Sequence, residues 1–115
     1  MKVHESRAET RIPVREKAWL ITGLENAEDA RFQCVVQNVS DRGFQISCKN
    51  ALSVGQILDF TWELFPGKTL NCMIEVRHIG PSGVGTMVTE IDNRGTALMQ
   101  LYLQEQYALK IGGKY

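Results

Sequence analysis

Between Ala18 and Ile91 the chain is a succession of short stretches rich in β-branched and aromatic residues, cut at intervals by clusters of Gly, Asn, Asp and Pro. Branched and aromatic side chains suit a pleated, half-buried surface, and the interrupting residues suit turns, so the pattern specifies an antiparallel all-β domain. Six strands are predicted, over approximately Ala18–Gly23, Arg31–Asn38, Gly43–Cys48, Gln56–Phe65, Thr69–Ile79 and Val84–Ile91. Alternation is clearest where Phe44, Ile46 and Cys48 are set against Gln45 and Ser47, and where Ile74 and Val76 interleave with Met73 and Glu75. One face of such a strand packs while the other meets water. Phe65-Pro66-Gly67-Lys68 and Gly80-Pro81-Ser82-Gly83 read as hairpin turns, which makes the last three strands a meander.

The period changes at both ends. Asp92 or Asn93 can cap a helix that runs to about residue 111, with Leu98, Leu101, Tyr102 and Leu109 on one face and Gly112-Gly113 as its stop. Met99, Leu103 and Tyr107 lie on the other side, as either a partner surface or a second buried face. Residues 1–17 are polar and end in Ile12-Pro13-Val14, so they read as a flexible arm. The 115 residues amount to one domain with a single core. Its expected parts are an arm at 1–17, a six-stranded antiparallel β-barrel at 18–91 and a C-terminal α-helix at 92–111. A sheet that curls shut leaves no exposed edge, and the helix closes or plugs it.

Charge and composition narrow the function. Thirteen Lys and Arg against thirteen Asp and Glu leave no protein-wide field to hold a long nucleic acid or an anionic membrane, so any anion site must be local. A single-stranded nucleic-acid reader would need a basic groove interleaved with aromatics, whereas the strands are net acidic. No apolar run is long enough to span a bilayer, and the start carries no signal-peptide core, so a cytoplasmic protein without membrane insertion is expected. Cys34, Cys48 and Cys72 are odd in number and far apart, which fits buried thiols better than disulfides or a zinc site. Trp19 and Trp62 alternate with apolar neighbours and read as packing residues, and His78 as a strand residue near a hairpin. No nucleophile elbow, phosphate-cradling glycine loop or metalloprotease helix is present in the sequence, so no enzyme is expected.

Two polar constellations remain. Arg7 and Arg11 stand four apart in the arm, and Asn38-Val39-Ser40-Asp41-Arg42-Gly43 forms a tight turn between two strands. A guanidinium fork bonds two acceptors at once, either phosphate oxygens or the O6/N7 edge of guanine, and its flat face stacks on a purine. An amide or hydroxyl oxygen accepts from guanine's ring N–H and amine. A positive φ at Gly43 would explain that glycine without any ligand. Likewise Asn38 and Ser40 can make Asx- and ST-turns within their own loop.

In order and spacing these two segments resemble the signatures of the PilZ family, whose members bind the bacterial second messenger cyclic di-GMP. The family pattern is RxxxR, followed by a hydrophobic residue and proline, and then [D/N]xSxxG. Arg7, Arg11 and Ile12-Pro13 match the first part, and Asn38, Ser40 and Gly43 the second; Arg11 and Arg15 offer an alternative register. Gly85 resembles the glycine of a late G-x-G strand. The resemblance implies a six-stranded barrel with a closing helix, and Arg7 and Arg11 clamping guanine and phosphates. It further implies that Asn38 and Ser40 read a guanine edge while Gly43 shapes the turn, with Arg15, Arg42 and Gly85 as further candidates. No cofactor is implied beyond the ligand, and the partner is an unidentified effector protein. The family's alternative role is a pilus-type adaptor that binds no nucleotide, which lacks the arginine motif. Two departures stand out: Ser6 replaces an arginine often found before RxxxR, and Asn38 replaces the commoner acid.

Overall fold

The computed structural model describes residues 11–21 and 31–110. It contains six strands, β1 (Ile12–Ile21), β2 (Arg31–Val39), β3 (Gly43–Ser47), β4 (Ile57–Phe65), β5 (Lys68–Gly80) and β6 (Gly83–Glu90), followed by a helix, α1 (Asn93–Lys110). The strands close into a barrel in the order β1-β2-β3-β6-β5-β4, with β4 pairing back onto β1, and every pairing is antiparallel. The predicted meander is β4-β5-β6. Its first hairpin turns through Gly67, at φ 76°, whose N–H donates to Glu63 Oε2 at 2.8 Å.

Inward positions of all six strands build one core. Leu20, Val36, Phe44, Ile46, Leu58, Phe60, Trp62, Leu70, Ile74 and Val76 are fully buried or nearly so. The rings interlock: Phe44 stacks on Phe60 at 4.5 Å, and Trp62 meets both edge-on at 5.7 and 6.1 Å. Trp62 also meets Tyr102 of α1 at 5.1 Å, which is how the helix joins the core.

Three expectations need correction. First, β1 begins at Ile12 rather than Ala18, so residues 12–17 belong to the barrel and not to an arm. Ile12 and Ala18 are buried and Glu16 also faces inward, so a period of two was present but hidden by a carboxylate on the core side. A register irregularity between Pro13 and Glu16 disguised it further. The other strand ends lie within a residue of expectation wherever both ends are described; Thr22 and Gly23 lie outside the described residues.

Second, the helix buries Gly95, Leu98, Met99 and Tyr102, a stripe at i, i+3, i+4 and i+7, while Leu101 and Leu109 are exposed. Leu103 is half-buried and Tyr107 exposed, so the Met99 side is shared between core and solvent. Asp92 caps this helix, its Oδ1 accepting from the Gly95 N–H at 2.7 Å. Third, Trp62 is a core residue but Trp19 is not, and the Arg31 guanidinium lies 4.4 Å from the Trp19 ring centre. Among the described residues no helix is long and apolar enough to cross a membrane.

Candidate functional site

The second polar segment is the β2–β3 hairpin itself. Asn38 ends the outward face of β2, and Gly43 opens β3. Between them Ser40 is completely buried. Its backbone N–H donates to the Gly43 carbonyl at 3.0 Å, its hydroxyl reaches the same carbonyl at 3.4 Å, and the Arg42 N–H donates to Oγ at 3.3 Å. The Arg42 carbonyl then accepts from the Val88 N–H at 2.8 Å, tying the turn to β6. Ser40 therefore builds the turn from within. Arg42 serves it through its backbone while its side chain is exposed.

Gly43 is required for a reason other than the one expected. Its φ is not positive; a Cβ at this position would fall on the Thr86 carbonyl and 2.9 Å from Met87 Cα. β3 and β6 approach so closely here that no side chain fits between them. Thr86 closes the same contact by donating its hydroxyl to the Phe44 carbonyl at 2.9 Å.

On the barrel's outer face the pairing registers place Pro13, Asn38, Gln45, Gly85 and His78 side by side across β1, β2, β3, β6 and β5. Arg11, immediately before β1, donates from Nη1 to Asn38 Oδ1 at 2.8 Å. Asn38 in turn donates from Nδ2 to Gln45 Oε1 at 3.1 Å. The two polar segments are thus joined across 27 positions of sequence. Gly85 leaves the row without a side chain between Gln45 and His78, an opening where a flat group can lie against backbone. A bulge at Arg77, where Val76 and His78 pair with the adjacent Thr86 and Gly85, sets His78 in this row.

Of the residues singled out by sequence, Arg11, Asn38, Ser40, Arg42, Gly43 and Gly85 come together on one side of the barrel. Arg15 is exposed in the irregular part of β1 and makes none of the hydrogen bonds just described. Arg7 lies outside the described residues. Gln45 and Gln37 were not singled out. Gln45 belongs by its bond to Asn38, and only the pairing register exposes that relation. Gln37 occupies the β2 bulge, and its buried Oε1 has no hydrogen-bond partner among the described residues.

The thiols stand away from this row. Burial pushes Cys34 and Cys72 up to about 12, with the neighbouring Cys48 and Asp59, respectively, adding to it. Cys48 is also raised by burial, with a backbone hydrogen bond from Asn50 acting in the opposite direction. No group of three His, Cys, Asp or Glu capable of holding a metal ion occurs among the described residues.

A protein-family model described as PilZ domain matches residues 5–105. No curated protein matches the chain. Among solved structures, the Bacillus subtilis inhibitor of motility (MotI/DgrA) superposes with a TM-score of 0.66 at 15% identity, covering 85% of this chain and 50% of that one. The chain thus spans half the length of that protein. The PilZ domain of CeSA from a cellulose-synthesizing bacterium gives 0.64 at 14% identity, covering 84% of this chain and 98% of that domain. At such identities the likeness is one of fold.

Proposed function

Because the chain belongs to the PilZ domain family, whose members are cyclic di-GMP receptors acting on effector proteins, we propose that it binds cyclic di-GMP around Asn38 and signals to a partner protein. The observation that carries this reading is the 2.8 Å bond from Arg11 to Asn38, because it brings the guanidinium and the amide of separate motifs to one point. The ligand carries two negative charges and two purines. Arg11 is the fork for a phosphate or a guanine O6/N7 edge, and the remaining lone pair of Asn38 Oδ1 accepts from a guanine N–H. The gap at Gly85 gives the base a place to lie. Arg7 supplies the second guanidinium of the clamp.

Part of the site is preformed. With β1 starting at Ile12 and Arg11 already held, residues 11–17 need no ordering when ligand arrives, so less conformational entropy is lost on binding than if all of residues 1–17 were a flexible arm. The surface around Asn38 that the bound ligand alters is what an effector reads, with motility or biofilm control as the output. The nucleotide-blind adaptors of the family lack the arginine motif to which Arg11 belongs, which favours the ligand-binding reading.

Calorimetric titration with cyclic di-GMP tests the assignment. The wild type should bind, Arg11→Ala should bind at least tenfold more weakly, as expected for loss of a charge-assisted hydrogen bond of about 1.5–3 kcal/mol, and Arg7→Ala plus Arg11→Ala should not bind measurably. Raising the salt concentration should weaken the wild type. A wild-type protein that ignores the dinucleotide at high concentration removes the proposal.

A further inference from the structure

The bond between Asn38 and Gln45 assigns a role to a residue in neither motif. Arginine only donates, so the Asn38 atom facing Arg11 must be the amide oxygen, and the amide nitrogen must then face Gln45. Gln45 meets it with Oε1. The polarity of the chain Arg11, Asn38, Gln45 is therefore set from the Arg11 end by a donor-only group, and Gln45 accepts at the other end. The Gln45 amide nitrogen is left turned towards Gly83, 3.1 Å from where a Cβ of that residue would stand.

We infer that Gln45 is a positioning residue for the ligand site: by accepting from Asn38 it holds the amide oxygen towards Arg11 and the ligand. The inference rests on the cyclic di-GMP reading of this site. Its logic comes from the chemistry of position 38. A carboxylate presents an oxygen in either orientation and needs no such lock, whereas an amide rotated by half a turn presents N–H groups to a guanidinium and to guanine donors, and repels both. Asparagine at this position is serviceable only while something fixes its orientation. Gln45 lies on the strand adjacent to Asn38, paired with it in register, and is half-buried, so its own side chain is confined.

The experiment is a double-mutant cycle read by calorimetry with cyclic di-GMP. Gln45→Leu, which cannot accept, should weaken binding about tenfold, the worth of one lost hydrogen bond plus the misoriented fraction. Asn38→Asp should bind at least as well as the wild type. Asn38→Asp plus Gln45→Leu should return to within about twofold of Asn38→Asp alone, because the symmetric carboxylate needs no lock. Unchanged binding by Gln45→Leu overturns the inference, and so does a double variant as weak as Gln45→Leu, since a merely structural Gln45 would not be rescued at position 38. Gln45→Val repeats the cycle if leucine prevents folding. Should the wild type not bind the dinucleotide at all, the functional reading fails by itself, and the free protein still decides the positioning. NMR signals of the Arg11 guanidinium should be exchange-protected in the wild type and in the double variant but not in Gln45→Leu; equal protection in all three overturns it.

Discussion

Glu16 sits on the core side of β1, where an unpaired carboxylate would be costly. It is tolerated because its two oxygens take the two polar hydrogens of the aromatic cluster: Oε1 accepts from Trp62 Nε1 at 3.0 Å and Oε2 from the Tyr102 hydroxyl at 2.9 Å. Glu16→Leu leaves two largely buried donors without acceptors, each worth about 1–3 kcal/mol, so urea unfolding should show a loss of roughly 2–6 kcal/mol. The glycines of the site separate in a similar way. Gly43→Ala drives a methyl group into the Thr86 carbonyl and should cost about 1–3 kcal/mol. Gly85→Ala would meet His78 Cβ at 3.6 Å and the His78 carbonyl oxygen at 3.9 Å, ordinary contacts, and should change stability by no more than about 0.5 kcal/mol. The same substitution should nonetheless weaken cyclic di-GMP binding, because it fills the gap in the outer row. Neither Glu16 nor Gln45 could be picked out by residue type: each matters through a partner that lies far away in sequence or on a neighbouring strand.

The β2–β3 hairpin acts as a unit. Its strands carry Asn38 and Gln45, its turn is organised around buried Ser40, and its end is fastened to β6 at Gly43 and Arg42. Such a support makes the Asn38 amide a fixed feature rather than a loop ornament. Strand positions were legible in the sequence wherever the alternation was apolar against polar, as in Phe44 to Ser47. In β1 the alternation ran Ile12, Val14, Glu16, Ala18, with a bulge and a core-facing acid, and it was lost. The helix shows the same limit. Its cap was readable because Asp92 acts locally, and Asp92→Ala should cost about 1 kcal/mol in thermal unfolding. Which of its leucines are buried depended on where the barrel meets it, and Met99 rather than Leu101 faces inward.

At the scale of the whole molecule, closure of the barrel around one core buries groups that must stay neutral. Cys34 and Cys72 rise from an ordinary 9.0 to about 12, and Tyr102 is pushed well above its ordinary 10.0, chiefly by burial and further by its bond to Glu16. Each group holds its proton more tightly folded than unfolded, so its contribution is fully present below the ordinary value and lost as pH rises towards the folded one. Denaturant midpoints should therefore be flat to about pH 8 and fall from pH 9 upward, and Cys34→Val plus Cys72→Val should flatten the first part of that decline. A midpoint independent of pH between 8 and 10.5 would contradict the burial of these thiols. The amino-acid sequence by itself determined the six strands, their turns, the capped helix and the two polar segments, because alternation, turn chemistry and capping act over a few residues. Strand pairing decided the rest: that Arg11 meets Asn38, that Gln45 bonds to it, that Glu16 is satisfied, and that Gly43 answers to a crowded neighbour rather than to its own backbone. Each relation depends on which strands lie side by side: β1 beside β2 for Arg11, β3 beside β2 for Gln45, β6 beside β3 for Gly43, and β4 beside β1 for the bond from Trp62 to Glu16.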